Sequence, residues 1–173
     1  CVAVGNALLY NHRCRRFSRL DGLTMLLNRT QYEKDLERIK PPAVIINMDV
    51  DDFKQINDTS GHAAGDYYLR QIAEVIRTVY GRHGDCYRYG GDEFSLILTK
   101  NLHQMEKLNG MFEAALGQLR EQDPKMPMVS LGYALYEGGI EALYATIEKA
   151  DAMMYRNKKV NDRAEIVEIA AEI

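Results

Sequence analysis

The stretch CYRYGGDEFSLIL, residues 86–98, sets two glycines and two acids between runs that alternate like a β-hairpin. Gly90 and Gly91 permit positive φ and leave the backbone bare to an approaching ligand, and Asp92 and Glu93 project beside that turn. A third acid, Asp49, closes AVIINMD at 43–49, an apolar run with three β-branched residues. Such a run reads as a strand buried on both faces, and ligands bind at the carboxyl ends of strands in open α/β sheets. With the hairpin beside that strand, three carboxylates converge at one sheet edge. Their mutual repulsion needs a cation. Hard oxygen donors of this kind suit Mg²⁺ shared with substrate phosphates, and two such ions can activate a hydroxyl nucleophile and neutralise a departing pyrophosphate. The expected chemistry is metal-assisted transfer on a nucleoside triphosphate.

Plainer readings stand beside this one. Asp51 or Asp52 can cap a short helix over FKQIN, Asp92 can be an ordinary turn residue, and Glu93 an exposed strand position. The acids gain a shared meaning only if the fold brings them together.

The elements that must do so are legible in outline. TQYE at 30–33 matches a capping box and predicts a helix after Thr30, with Tyr32, Leu36 and Ile39 on its apolar face and Pro41 and Pro42 ending it. Leu69, Ile72, Ile76 and Val79 predict a helix over 62–79, and Met105, Leu108, Phe112, Ala115 and Leu119 another over 102–121. PMVSLGYAL at 127–135 reads as a strand. Ile140, Leu143, Ile147 and Met154 stripe a helix that ends near Lys158, and AEIVEIA at 164–170 reads as a closing strand. Strands interleaved with helices give a layered α/β or α+β domain.

Composition sets the outer bounds. A chain of 173 residues, 46% apolar and 27% charged, is enough for one domain with its own core. A net charge of −3 argues against a nucleic-acid surface, which would carry a basic excess. Cys1, Cys14 and Cys86 are odd in number and lack CxxC spacing, which points away from a disulfide framework or a zinc site and fits a reducing cytoplasm. CVAVGNALLY, followed by Arg13, Arg15, Arg16 and Arg19, is too short to span a bilayer. Residues 1–20 read as a linker helix from a missing upstream module, with the cytoplasmic end of a truncated membrane helix as the other reading; 21–173 form the domain.

RYGGDEF at 88–94 resembles the signature of the GGDEF, or diguanylate cyclase, family. DVDDFKQINDTSGHAAGD (49–66) resembles that family's DxDxFKxxND segment, DGLTMLLNR (21–29) its N-terminal motif, and ADAMMYRNKK (150–159) its ADxxxYxxK helix. Four motifs in order, covering residues 18–170, make the match specific. The resemblance implies a central mixed sheet of about five strands surrounded by helices, like nucleotidyl cyclase and polymerase palm domains, with the signature on a β-hairpin. It also implies a reaction. Two GTP condense into cyclic di-GMP and two pyrophosphates with Mg²⁺ or Mn²⁺, two ions per GTP, in a homodimer whose subunits each present one GTP.

Roles follow by position. The resemblance makes Asp49, Asp92 and the Val50 carbonyl metal ligands, and Glu93 a metal ligand or an aid to deprotonating the 3′-hydroxyl. It gives phosphates to Lys54, Lys158 and the backbone around Phe53, places Gly90 and Gly91 against the substrate, and has Arg88 stabilise charge developing in the transition state. Asn57 and Asp66 become the guanine readers. Guanine offers N1–H and N2–H to a carboxylate that adenine would leave unpaired, a difference worth up to ~10⁴-fold in favour of GTP.

The chain also departs from the pattern. Many family members carry an RxxD product site with five residues between its Asp and the first Gly of GGDEF, whereas here only residues 86–89 separate Asp85 from Gly90. A shift of one residue along a strand turns side chains to the other face, so Arg82 and Asp85 are expected to bind product weakly or not at all. Met25 replaces the usual glycine of the first motif, and Arg163 stands near where the family has a phosphate-reaching arginine. His62 is family-typical and reads as structural. A non-catalytic module that binds GTP or cyclic di-GMP is the alternative function, and such domains usually lose an acid that this chain retains. A nucleotidyl transferase with a different acceptor is the third reading.

Overall fold

In the computed structural model, which describes residues 19–171, the elements run β1 (Leu27–Asn28), α1 (Arg29–Leu36), β2 (Ala43–Val50), α2 (Phe53–Ser60), α3 (His62–Tyr80), β3 (Gly84–Arg88), β4 (Glu93–Leu98), α4 (Met105–Gln122), β5 (Val129–Tyr136) and α5 (Ile140–Ala171). The strands form one five-stranded sheet in the order β1-β3-β4-β2-β5, antiparallel except for β1 beside β3. This is the mixed sheet the motifs imply. Most of the expected linker over 1–20 lies outside the described residues.

Strand β2 shows why the sheet is covered on both sides. Every residue in it but Asp49 is buried. Val44, Ile46, Met48 and Val50 face one way, against Leu69, Ile72 and Ile76 of α3 and Phe112 and Leu116 of α4. Ala43 faces the other way, in a second cluster with Tyr32 of α1, Tyr87, Ile97 and Tyr136, and with Leu143 of α5 packed against it. Burying each large side chain contributes roughly 1.5–3 kcal/mol. Helix α5 comes unusually close to the sheet at Gly132. A Cβ there would lie 2.1 Å from the Ala150 carbonyl oxygen and 2.2 Å from the Met154 nitrogen. That contact fixes how far α5 carries its following turn over the end of β2.

The structure corrects several local expectations. Helix α1 begins at Arg29, capped by Asn28, whose side chain accepts from the Gln31 N–H at 3.0 Å. Asn28 has the extended backbone an N-cap requires, so Thr30 falls inside the first turn. The helix then stops at Leu36, short of the prolines, in turns closed by Arg38 N–H on Asp35 and Ile39 N–H on Leu36. Residues 164–170 are helical, because α5 continues through Ala171. Alternation there suggested a strand, but Ala and Glu are strong helix formers and extending an existing helix needs no new nucleus. Ile140, expected in the apolar stripe, is the first residue of α5 and is 78% exposed. Among the described residues, no helix is long and apolar enough to cross a membrane.

Candidate active site

Asp49 and Glu93 are direct partners across the antiparallel ladder of β2 and β4. Opposed residues put their side chains on one face with Cβ atoms about 4.5–5.5 Å apart. The next rung is locked by the Val50 N–H donating to the Asp92 carbonyl at 3.1 Å. The hairpin therefore does lie beside the first long strand, and its register sets the acids together. The Tyr89 and Gly90 N–H groups both donate to the Glu93 carbonyl, at 2.9 and 3.2 Å, and close the turn. Neither Gly90 nor Gly91 has positive φ; among the described residues the glycines that do are Gly61, Gly138 and Gly139. What matters at the signature glycines is room. A Cβ on Gly90 would meet Glu93 Oε2 at 2.5 Å, and Gly91 has nothing within 4 Å.

Lys158 completes the pair from α5, where its Nζ donates to Asp49 Oδ1 in an ion pair. Partial burial works against its charge, but the Asp49 hydrogen bond and the charges of Asp49, Asp51 and Asp92 outweigh it and raise its pKa. Glu93 is pushed up by partial burial and by the like charges of Asp92, Asp49 and Asp151, with Arg29 pulling the other way. A carboxylate so crowded by others holds a proton more readily than usual and gains from a cation nearby.

Asp51 does not cap α2. It is 5% exposed and accepts from Ser130 Oγ at 2.9 Å and Asn161 Nδ2 at 3.0 Å, while Asn161 also donates to Ser130 Oγ. Burial raises its pKa more than these two hydrogen bonds and Lys158 lower it. Asp52 precedes α2 with a left-handed backbone and no side-chain cap bond. The Asp51 network, with Asn157 Nδ2 donating to the Leu131 carbonyl at 2.7 Å, ties α5 to β2 and β5 on both sides of Lys158 in sequence. A second tie runs from Ser95 Oγ to Asn47 Oδ1 at 2.9 Å and from Asn47 Nδ2 to Asp151 at 2.6 Å. Sequence reasoning missed Ser130, Asn161 and Asn47, because short polar side chains inside apolar runs carry no spacing signal. Asp151 lay within a recognised motif without a role.

The expected base-reading residues sit on α2 and α3. Phe53 packs partly buried against the main core, and Lys54 is exposed in the first turn of α2. Asn57 lies against Gly65, where a Cβ would come within 2.2 Å of its Oδ1. Asp66 is the next residue, half-buried. The close approach of α2 to the first turn of α3 brings Asn57 against Gly65, the residue before Asp66.

Arg88 holds the turn of the signature hairpin. Its Nη2 donates to the Gly91 carbonyl at 2.7 Å, its Nε to the Gly90 and Gly91 carbonyls at 3.2 Å each, and its Nη1 to Asp21 Oδ1 at 3.1 Å. It clamps the turn to the first motif. Asp21 also takes the Thr24 hydroxyl at 2.7 Å and the Thr24 N–H at 2.8 Å. Burial would raise the Asp21 pKa, but these bonds and Arg88 together lower it.

The donor set is one that magnesium fits. Among the described residues no group of three or more His, Cys, Asp or Glu side chains is placed to hold a metal ion, so the expected convergence of three carboxylates narrows to the facing pair Asp49 and Glu93. The two opposed carboxylates, Asp49 and Glu93, with Asp92 in the same electrostatic field, form an open, oxygen-only edge. Mg²⁺ is typically bound in this way, by one or two carboxylates with substrate phosphates and water supplying the rest.

Residues 18–163 match the family model described as Diguanylate cyclase, GGDEF domain. The chain belongs to the GGDEF family. Among curated relatives, it is 32% identical over 162 residues to diguanylate cyclase DgcS of Shewanella oneidensis, an alignment covering 88% of this chain and 53% of DgcS. It is 29% identical over 163 residues to diguanylate cyclase DosC of Escherichia coli, covering 87% of this chain and 35% of DosC. The chain thus spans about half and about a third of these proteins. Among solved structures, the coiled coil and GGDEF domain of DgcB from Caulobacter crescentus, in complex with c-di-GMP, superposes with a TM-score of 0.77 at 27% identity, covering 91% of this chain and 90% of that one. The GGDEF fold of DgcB is therefore the fold of this chain.

Proposed function

We propose that this GGDEF domain is a diguanylate cyclase, which joins two GTP into cyclic di-GMP and releases two pyrophosphates as a homodimer. The observation that carries the reading is the facing pair Asp49 and Glu93, with Lys158 held at Asp49. Asp49, Asp92, Glu93 and the Val50 carbonyl would hold Mg²⁺ or Mn²⁺, two ions per GTP, which when bound supply charge neutralisation for the phosphates. Lys54, Lys158 and the backbone near Phe53 hold the phosphate tail. Asn57 and Asp66 take the guanine edge and exclude adenine. Arg88 fixes the Gly90–Gly91 turn that presents Asp92 and Glu93 to the substrate.

Glu93, on the rung facing Asp49, accepts the proton of the 3′-hydroxyl of the GTP on the other subunit. The 3′-oxygen then forms a bond to the α-phosphorus as the α–β bridge breaks and pyrophosphate leaves. The same exchange in the opposite sense closes the ring. GTP as substrate places the reaction in the cytoplasm, no nucleic acid takes part, and the greater length of DgcS and DosC accords with a regulatory module attached to such a domain.

The test is incubation of the purified domain with GTP and Mg²⁺, with the products separated by chromatography and Glu93→Gln as control. A version dimerised by a fused coiled coil runs in parallel, so that lost association is not read as lost chemistry. Cyclic di-GMP from the wild type alone supports the reading. Bound but unaltered GTP in both formats overturns it in favour of a binding module.

A further inference from the structure

Two buried polar side-chain atoms among the described residues lack a hydrogen-bond partner: Asp51 Oδ1 and Arg120 Nη1. Asp51 belongs to the network that ties down α5. Arg120 belongs to nothing described so far. It stands near the end of α4 and lines a half-open cavity of about 320 Å³ between α4, β5 and α5, whose walls include Glu113, Leu116, Leu131, Asn157 and Asn161. That volume lies at the small end of the range for small-molecule sites.

The chemistry of the walls narrows the occupant. A guanidinium is a pure donor, and native proteins give its buried N–H groups an acceptor, most strongly a carboxylate held by its planar fork. No residue supplies one to Arg120 Nη1. Asn161 Nδ2 is committed to Asp51 and Ser130, whereas Asn157 Nδ2, bonded to the Leu131 carbonyl, keeps a second N–H that an anion can take. Leu116 and Leu131 add an apolar wall. We propose that this cavity binds a small aliphatic carboxylate, with its oxygens on Arg120 and its body against Leu116 and Leu131. The ligand touches Asn157 and Asn161, which flank Lys158 in α5, so the site adjoins the helical turn that delivers that lysine to Asp49. The proposal does not depend on the catalytic reading.

The test is a titration of the isotope-labelled protein with butyrate, followed by backbone amide shifts, with butyramide as the uncharged isostere. Butyrate is expected to give saturable shifts in residues 116–120, 129–131 and 157–161, and butyramide to bind roughly tenfold more weakly or worse. Arg120→Gln is expected to weaken butyrate by at least about tenfold, and Glu113→Gln, which removes a competing carboxylate, to tighten it several-fold. Shifts centred on residues 49–57, equal binding of the two probes, or no saturation would overturn the site. Should Arg120→Gln not fold, Glu113→Gln decides alone, and an unchanged or weaker butyrate affinity in it counts against the proposal.

Discussion

Glu93 sits on the rung of the β2–β4 ladder directly opposite Asp49, two like charges where a sheet would ordinarily place complementary ones. Such a pair destabilises by roughly 0.2–1 kcal/mol, so its presence points to use rather than to folding. Glu93→Gln is therefore expected to do two opposite things. Urea unfolding should show stability unchanged or raised by up to about 1 kcal/mol, while cyclic di-GMP formation falls by about 10²-fold or more. A variant that loses stability along with activity would show Glu93 to be structural.

Met25 holds a left-handed backbone, φ 60°, with its side chain about half exposed. Glycine, the residue of the motif this stretch resembles, adopts that backbone without strain. A left-handed L-residue costs roughly 1–2 kcal/mol, part of which glycine gives back through its freer unfolded chain. Met25→Gly should raise the stability by about 0.5–1 kcal/mol in urea unfolding, without altering GTP turnover. A destabilised Met25→Gly would mean that the exposed side chain packs in a way that outweighs the backbone strain.

Asp21 has a lowered pKa in the fold, because the Thr24 and Arg88 hydrogen bonds overcome its burial. A carboxylate with a depressed folded pKa contributes stability that is fully present above its ordinary value of 3.8 and is lost as pH falls through the lower folded value. Asp21→Asn removes that contribution at neutral pH and cannot lose it again in acid. Urea midpoints from pH 7 down to pH 3 should therefore fall more steeply in the wild type than in Asp21→Asn. Parallel profiles would show that the Arg88 clamp does not depend on the Asp21 charge.

What the sequence disclosed and what it hid divide along physical lines. The apolar periods of α3 and β2 placed those elements to within a residue or two, and the acidic turn beside Asp49 followed from hairpin patterning. The N-cap at Asn28 was missed because a stronger-looking box at Thr30 lay two residues on. The helix through Ala171 was missed because local alternation competes poorly with continuation of an existing helix. Arg88 was assigned to the substrate by resemblance, and only coordinates show it bound to the turn carbonyls and Asp21. Side-chain networks such as Asp51 with Ser130 and Asn161 join residues 79 and 110 apart, a separation that no motif spacing encodes.

Arg82 is exposed in the turn after α3, and Asp85 on β3 pairs across to Ile97, with Gly84 the preceding strand residue. The RxxD spacing is one residue short of the family's register, so the positions that would bind product are Gly81 and Gly84. Cyclic di-GMP is expected to bind the domain no better than weakly at this face, which calorimetry can read. Low-micromolar binding abolished by Arg82→Ala would show that the shifted pair still forms a product site.

Gly65 and Asn57 provide the sharpest separation of function from stability. Gly65 lies within α3, where alanine is the better helix former by about 0.5–1 kcal/mol. A Cβ there would overlap Asn57 Oδ1 at 2.2 Å, and it would also touch the Phe53 ring at 3.0 Å. The amide is the far end of a flexible side chain and can swing away at little cost. Gly65→Ala should then leave the unfolding midpoint unchanged or slightly higher, while, with Asn57 on the guanine as proposed, the KM for GTP rises by about tenfold. Asn57→Ala should raise KM by a similar factor, and the double variant should add little further, since both changes remove one interaction. Full additivity in that cycle would show that Gly65 supports binding by some route other than Asn57.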